Sequence, residues 1–309
     1  MLNKLRRFFL RHLRKMRFLP PKVYVKIHYE YFSGKKLDLN NPHDFNAKIE
    51  WYKVFFRPKI LTQLVDKYEV RTYIEEKIGA KYLNELYAVY DNAEEIDFDS
   101  LPNRFVIKAN HTNGHNLIVK NKKNLDKKKS IKLLNKWLGK NQYYRRGQEW
   151  AYKDVKPKLI IEKFLKEKDK NTLVDYKFYC FNGKVKFVDV HFDRESDHKQ
   201  CCFDVDFKLM PFRKGKDDNL EFFKDYKEPS NLKEMVKLSE ILAENLPFVR
   251  VDFYSINGKS IFGELTFYPS DARKKFFPEE YNTIIGDYFQ LPKLNSKKET
   301  ITNLEAIKY

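Results

Sequence analysis

Cysteines and long apolar runs are both scarce in this sequence. Its 309 residues include three cysteines, Cys180, Cys201 and Cys202, and no CxxC pair or Cys/His cluster with metal-ligand spacing. These absences argue against a disulfide framework or a zinc site and favour a reducing, cytoplasmic setting. No apolar run approaches the roughly 18 residues of a membrane span, and no signal-peptide core is present. We therefore expect a protein that is neither exported nor membrane-spanning.

Glycine-rich phosphate loops are absent as well. The chain has only 10 glycines, and neither GxxxxGK(S/T) nor GxGxxG occurs. Its net charge of +18, from 61 Lys and Arg against 43 Asp and Glu, nevertheless favours anionic partners. Such partners include nucleotides, phosphorylated sugars, nucleic acid and an acidic membrane leaflet, although lysines on solvated faces account for part of the excess.

Acidic residues are missing from the N-terminal segment until Glu30. Apolar residues recur there at three- and four-residue steps, at Leu2, Leu5, Phe9, Leu13 and Met16. Seven basic residues are interleaved with them: Lys4, Arg6, Arg7, Arg11, Arg14, Lys15 and Arg17. The pattern predicts an amphipathic helix that Pro20 and Pro21 stop. Residues 1–19 either lie peripherally on anionic lipid at the inner face of the cell membrane or pack their apolar stripe on the protein body.

The remaining pattern predicts an α+β protein with mostly antiparallel sheets. Residues 44–56 and 60–78 have helical spacing, with Gly79 as a stop signal, and further helices are expected at about 126–139 and 231–245. Short β-branched and aromatic runs predict strands at 105–110, 116–120, 158–165, 175–181, 184–192, 201–207, 248–254 and 260–267. Asn-Gly pairs at 182–183 and 257–258 signal hairpins.

The second hairpin carries two carboxylates, Asp252 and Glu264, one on each strand. A two-residue Asn-Gly loop would pair residue 256 with 259 and place them on opposite faces of the sheet. A three-residue loop with a bulge at Gly258 would pair 255 with 259 and place them on one face, with Arg250 opposite Glu264. A functional site therefore requires the three-residue loop.

Two carboxylates on one face repel each other unless a cation lies between them. Oxygen ligands without His or Cys favour Mg²⁺, which commonly completes its shell with substrate phosphates. The planar guanidinium of Arg250 suits a phosphate or a carboxylate. The alternative is a surface hairpin with a weak cross-strand Arg–Glu pair.

Three further residues could join such a site. Lys108 ends the strand at 105–110, and the polar loop 111–116 that follows could close over phosphates as a flap; the alternative is a lysine beside a solvated loop. Glu162 lies near the end of an apolar strand, and Lys177 offers a second cation. The order of these features along the chain is more informative than any one of them.

That order resembles the ATP-grasp superfamily. The segments FNAKIEWYK, LVDKYEVRTYI, FVIKANHTNGHN, IIEKFL, DYKFYCFNGK, FVRVDFY and FGELTFYP are similar to its teichuronopeptide-biosynthesis (TupA-like) branch, which is associated with cell-surface polysaccharide gene clusters. The similarity runs from about residue 43 to residue 292. It implies an ATP-grasp fold, with two α+β lobes around a nucleotide cleft and a helical N-terminal region. The implied divisions are a basic tail 1–20, a helical region 21–100, lobe 1 at 101–167, lobe 2 with the metal site at 168–292, and a tail 293–309.

The resemblance also implies roles for individual residues, with ATP and Mg²⁺ as cofactors. The nucleotide would be bound by Lys108, Asn113, Gly114, Glu162, Lys177 and the backbone of Lys163, Phe164 and Leu165, with Glu167 or Asp169 on the ribose. Mg²⁺ would be held by Asp252, Glu264 and Thr266, and the catalytic residues would be Arg250 and Lys177. The sequence departs from the family in having Thr266 where Asn is usual and Pro269-Ser270-Asp271-Ala272 where related chains have Pro-Gly-Ser-Gly.

The implied activity is an ATP- and Mg²⁺-dependent carboxylate–amine ligase that acts through an acyl phosphate on a glycan precursor. A sugar-nucleotide-dependent glycosyltransferase on the same fold is the alternative, because a sugar diphosphate also needs Mg²⁺ and cations. A non-catalytic basic module is a third hypothesis. It ranks lower because much of the charge excess lies before residue 20 and no RNP-type aromatic motif occurs, so no specific nucleic-acid partner is expected.

Overall fold

The computed structural model describes residues 4–166, 173–192, 198–215, 223–294, 299–305, 307 and 309. Its helices are α1 (Lys4–Leu13), α2 (Pro21–Ser33), α3 (Phe45–Phe55), α4 (Ile60–Val65), α5 (Val70–Lys77), α6 (Lys127–Leu138), α7 (Gln142–Arg145), α8 (Leu232–Leu242) and α9 (Tyr281–Tyr288). Its strands are β1 (Leu86–Tyr90), β2 (Phe105–Ala109), β3 (Asn116–Val119), β4 (Leu159–Lys163), β5 (Asp175–Phe181), β6 (Lys184–Phe192), β7 (Lys199–Phe203), β8 (Arg213–Lys214), β9 (Phe248–Ile256), β10 (Lys259–Thr266) and β11 (Phe276–Phe277). The α+β class is as expected.

The strands form antiparallel sheets, as the sequence predicts. A four-stranded sheet has the order β1-β4-β2-β3, and a five-stranded sheet has the order β10-β9-β5-β6-β7. Strands β8 and β11 form a small separate pair. Each large sheet has its own apolar core: Phe105, Ile107 and Leu134 belong to the core of the first, whereas Phe178 and Val251 belong to that of the second.

Helices α3 and α6 begin where their capping residues predict. The carboxylate of Asp44 accepts a hydrogen bond from the backbone N–H of Ala47 at 2.9 Å, and Asp126 caps α6 through Lys129 in the same way. Helix α3 is buried along its whole length against the second core. Among the described helices, none combines the length and apolar character needed to cross a bilayer.

The single helix expected over 60–78 is wrong, because the chain breaks at Asp66. Asp66 is extended, and its Oδ1 accepts hydrogen bonds from the backbone N–H groups of Tyr68 and Glu69. Its Oδ2 accepts a bond from the Asn110 amide, which fixes the break against the end of β2. The interruption turns Lys67 towards the first sheet, where it becomes part of the site described below.

The first helix also ends earlier than predicted. Helix α1 stops at Leu13, and Pro21 opens α2 instead of terminating α1. Proline fits the first helical turn because the N–H that it lacks has no partner there. Gly34, with φ of 79°, then ends α2 in the left-handed conformation that glycine tolerates best.

Candidate active site

The two paired carboxylates share one sheet face, but not for the reason that the sequence suggested. Ile256 pairs with Lys259, so the turn has only two residues, Asn257 and Gly258, both with positive φ. The three-residue loop that a shared face was expected to require is therefore not formed. A bulge farther along β10 shifts the pairing and sets Glu264 directly opposite Asp252.

Gly263 is the residue that makes this bulge. A Cβ added there would lie 3.1 Å from the carbonyl oxygen of Asp252 and 3.4 Å from the ring of Tyr254. A glycine inside a strand commonly marks a bulge or a close backbone approach, and here it marks both. The signal was present in the sequence, although its effect on register depends on the neighbouring strand.

A polar row crosses the five-stranded sheet at this level. Asp189, Lys177, Asp252 and Glu264 are direct cross-strand neighbours on β6, β5, β9 and β10. Directly opposite residues point to the same face of a sheet. The predicted metal ligands and the predicted second cation are therefore neighbours.

The guanidinium of Arg250 gathers the oxygen atoms of the site. Its Nε donates to Asp252 Oδ1 at 2.6 Å, and its Nη2 donates to Asp252 Oδ2 at 2.7 Å, Glu264 Oε1 at 3.0 Å and Thr266 Oγ1 at 3.0 Å. Burial opposes the charge of Arg250, but Asp252, with Tyr179 and Glu264, outweighs it, and the Arg250 pKa is raised well above its usual value. Burial likewise raises the pKa of Glu264, but Arg250, Lys67 and Lys177 together outweigh it and the net shift is downward. Glu264 is thus held ionised at neutral pH.

These oxygen atoms fit a magnesium ion. Asp252 and Glu264 supply two carboxylates and Thr266 a hydroxyl, which are hard ligands of the kind that Mg²⁺ prefers. Within the described part of the chain, no group of three or more His, Cys, Asp or Glu residues could hold a metal. An ion at this position would therefore need further oxygen atoms from outside the protein, such as those of a polyphosphate.

Other cations of the site are paired with carboxylates. Lys177 Nζ lies 2.6 Å from Asp252 Oδ2, and Lys108 Nζ lies 2.6 Å from Glu162 Oε2. Arg71 lies 3.3 Å from the other oxygen of Glu162. Lys67 instead donates to the carbonyl of Thr112 at 2.7 Å, and burial lowers its pKa. Sequence reasoning missed Arg71 and Lys67, which come from the helical region ahead of the sheets.

These side chains line a cleft of about 330 Å³ between the two sheets. The predicted site residues among its lining are Lys108, Asn113, Gly114, Glu162, Leu165, Lys177, Arg250, Asp252, Glu264 and Thr266. Lys163 and Phe164 are not among them. Lys163 ion-pairs with Glu85 at 2.9 Å, and its backbone N–H and C=O bond to Glu85 and Asn84. Glu167 and Asp169 lie outside the described residues, so the nucleotide roles of all these positions stay predictions.

The predicted flap is a loop between two paired strands, because Lys108 on β2 pairs with Asn116 on β3. Asn113 at its tip accepts hydrogen bonds from Tyr152 at 3.0 Å and from Arg145 at 3.1 Å. The histidines of the loop have structural partners: His115 stacks on Trp137, and burial together with Arg145 lowers its pKa to about 4. His115 is therefore neutral at physiological pH.

A buried charge network supports the far end of the cleft. Lys53 Nζ lies 2.7 Å from Asp271 Oδ1 and 3.0 Å from Glu50 Oε2. His28 completes the ring, 2.6 Å from Glu50 and 3.4 Å from Asp271. Asp271 lies in the Pro-Ser-Asp-Ala segment, where Ser270, Asp271 and Ala272 all have positive φ. The network thus ties this left-handed segment to α2 and α3, a link that sequence reasoning missed.

Glu149, which the sequence analysis did not identify, is a buried carboxylate in the cleft wall. Gln142 Nε2 donates to its Oε2 at 2.9 Å. Burial, with the nearby charge of Asp271, raises the pKa of Glu149 to about 7. Arg146 lines the same end, and its guanidinium forms no ion pair with any described residue. This end of the cleft therefore offers both a carboxylate and a cation.

We predict that Glu149→Gln flattens the pH dependence of stability. The usual pKa of a glutamate is 4.5, and that of Glu149 in the folded protein is about 7. Between these two pH values the folded protein keeps a proton on Glu149 that the unfolded chain has released. This stabilisation is complete below pH 4.5 and is lost as pH rises through 7, for a total on the order of 3 kcal/mol. Glutamine mimics the protonated acid at every pH. The free energy of unfolding, measured with urea, should therefore fall less from pH 5 to pH 8 in the variant than in the parent. An equal fall in both would contradict the raised pKa of Glu149.

The protein has two α+β lobes with separate cores and, between them, a cleft lined by cations and paired carboxylates. This arrangement is typical of the ATP-grasp class of proteins. Within that class, the family model described as TupA-like ATPgrasp matches residues 47–290, and the chain belongs to this family. The suspected resemblance is therefore confirmed. No curated protein matches the chain.

Several solved structures are similar to this chain at low identity. The D-alanine–D-alanine ligase of Bacillus anthracis complexed with ATP is 17% identical, with a TM-score of 0.40 over 67% of this chain and 57% of that one. The D-alanine–D-alanine ligase of Helicobacter pylori is 15% identical, with a TM-score of 0.41 over 82% and 68%. The ATP-grasp ligase PsnB with Mg and ADP is 11% identical, with a TM-score of 0.40 over 79% and 65%. The chain thus spans less than two thirds of the length of the Bacillus anthracis ligase and of PsnB.

Proposed function

We propose that this protein is an ATP- and Mg²⁺-dependent carboxylate–amine ligase that builds an amide on a cell-surface glycan precursor. The observation that carries the proposal is the cleft in which Asp252 and Glu264 lie opposite each other beside Lys177 and Arg250, with Lys108 reaching in from the other sheet. Membership of the ATP-grasp family supports a nucleoside triphosphate as the phosphoryl donor.

The proposed roles follow from charge and position. Lys108 and Lys177 would neutralise the phosphates, the flap with Asn113 and Gly114 would cover them, and Arg250 would stabilise charge on the transferred phosphoryl group. Asp252, Glu264 and Thr266 would hold Mg²⁺, which supplies a Lewis acid for the polyphosphate. In this scheme residues 101–167 and 168–292 are the two lobes that enclose the nucleotide.

The proposed reaction has two steps. An acceptor carboxylate oxygen attacks the γ-phosphorus, the bond to ADP breaks, and an acyl phosphate forms. An amine then attacks the acyl carbon and expels phosphate, and the amine loses a proton. Phosphoryl transfer of this kind depends on positioning and charge neutralisation, so a cleft with seven cationic side chains and five carboxylates among the described residues suits it without a protein nucleophile.

A thermal-shift screen tests the proposal and separates it from its alternative. ATP with Mg²⁺ is expected to stabilise the protein, by about 2.7 kcal/mol at a hundredfold excess over Kd, and ATP without Mg²⁺ is expected to do much less. GTP and UDP-glucose, each with and without Mg²⁺, are the comparison ligands. Stabilisation by the sugar nucleotide alone would favour the glycosyltransferase, in which a neutral Thr266 hydroxyl is easily accommodated. No response to any nucleotide would contradict both.

A further inference from the structure

Helix α1 turns its apolar residues to solvent. Phe8 is 57% exposed and Phe9 56%, whereas Leu10 is the buried residue of the helix. The exposed apolar surface continues past the helix end through Met16 and Phe18, which is 80% exposed. We call Phe8, Phe9, Leu13, Met16 and Phe18 the apolar face.

Besides the buried Leu10, basic residues of α1 and of the turn after it hold this segment to the protein. Arg6 Nε lies 2.5 Å from Glu30 Oε1 on α2. The guanidinium of Arg14 lies 4.4 Å from the centre of the Tyr31 ring, and that of Arg7 lies 5.8 Å from it. A helix that packed its apolar stripe on the protein body would have the opposite orientation. That alternative from the sequence is therefore wrong.

Positive charge surrounds the apolar face. Lys4, Arg11 and Lys15 are exposed, and none of them forms an ion pair with any described residue. A second copy of the chain would bring the same charges to the same face, so self-association there is opposed by repulsion. An anionic lipid surface satisfies both features, because it accepts apolar rings between acyl chains and attracts lysine and arginine to its headgroups.

We propose that α1 and residues 14–18 bind the surface of an anionic phospholipid membrane. This inference does not depend on the proposed enzymatic function. It does connect with the cleft: Gln148 Nε2 donates to the carbonyls of Arg17 at 3.0 Å and Leu19 at 2.9 Å. The neighbouring Arg146 and Glu149 line the cleft, so a membrane bound to α1 holds that wall in a defined position relative to the lipid.

Vesicle co-sedimentation of the full chain tests the proposal. The parent protein is expected to pellet with vesicles of phosphatidylcholine and phosphatidylglycerol (3:1) and not with phosphatidylcholine alone, with binding that weakens as salt is raised. Phe8→Ser/Phe9→Ser/Phe18→Ser and Lys4→Glu/Arg11→Glu/Lys15→Glu should each lower the partition coefficient at least tenfold. All six residues are exposed, so both variants should keep the parent melting temperature.

A matched control replaces exposed apolar residues elsewhere. Leu133→Ser/Val205→Ser/Ile284→Ser removes side chains that are 38%, 45% and 39% exposed, and its binding should equal that of the parent. Equal binding to neutral vesicles, full binding by either N-terminal variant, or equal loss in the control would overturn the proposal. So would sedimentation of the parent as a dimer that the Phe→Ser variant converts to a monomer, because a second copy would then cover the apolar face.

Discussion

Replacing Glu264 with glutamine is expected to remove the Mg²⁺-dependent part of nucleotide binding and to leave the fold nearly unchanged. Glu264 Oε1 accepts hydrogen bonds from Arg250 at 3.0 Å and from the Thr266 hydroxyl at 3.3 Å, which an amide oxygen can also accept, and its side chain is 35% exposed. The main loss is therefore one negative charge opposite Asp252. Since Mg²⁺ takes its charge balance from carboxylates, calorimetric titration of ATP at fixed Mg²⁺ should show at least a tenfold weaker Kd. ATP titration without Mg²⁺ should give the same result for variant and parent.

Asp189→Asn is the matched control. Asp189 lies on the same polar row of the sheet, and Lys214 Nζ is 2.7 Å from its Oδ2. Burial opposes its charge, but Lys214 and His191 together outweigh burial and lower the Asp189 pKa well below its usual value. Asp189 does not contribute to the cleft lining. Loss of the buried charge should cost about 3–5 kcal/mol of stability but spare the response to Mg²⁺ and ATP. A full response in the Glu264 variant, or a lost response in the Asp189 variant, would be incompatible with the proposed metal site.

The strands and both hairpins were predictable because their signals are local. Asn182-Gly183 and Asn257-Gly258 form two-residue turns with positive φ, as Asn-Gly between apolar runs favours. That Asp252 and Glu264 share one face of the sheet was harder to predict from the sequence. It depends on how β10 bulges against β9, and a lone glycine does not reveal the direction of that shift.

The contribution of the helical region could not be predicted from periodicity. The apolar spacing is continuous from residue 60 to residue 78, and only the tertiary bond between Asp66 and Asn110 shows why the helix breaks. The break is what brings Lys67 to the cleft. Lys53 and Asp271 are 218 positions apart, so their contact leaves no local trace in the sequence.

Lys53→Met is expected to destabilise the fold strongly. Lys53 is 1% exposed and is the shared cation of Glu50 and Asp271. Methionine would leave these two buried carboxylates with His28 and with Arg273, whose Nε lies 3.4 Å from Asp271. Burial opposes the charge of Lys53, but Asp271 and Glu50 outweigh it and raise its pKa above the usual value. Breaking a buried ion pair on one side costs about 3–5 kcal/mol, because the remaining charge stays without its partner. Urea unfolding at pH 7 measures the loss.

Lys67→Met separates this effect from the simple loss of a lysine. Lys67 bonds to a carbonyl, has no carboxylate within ion-pair distance among the described residues, and already has its pKa lowered by burial. Its replacement should therefore cost less than about 1 kcal/mol. The Lys53 variant should also weaken the response to Mg²⁺ and ATP less than Glu264→Gln does, because its network supports the far end of the cleft and not the oxygen atoms around Arg250. Equal stability of the two lysine variants would show that the network contributes little to folding.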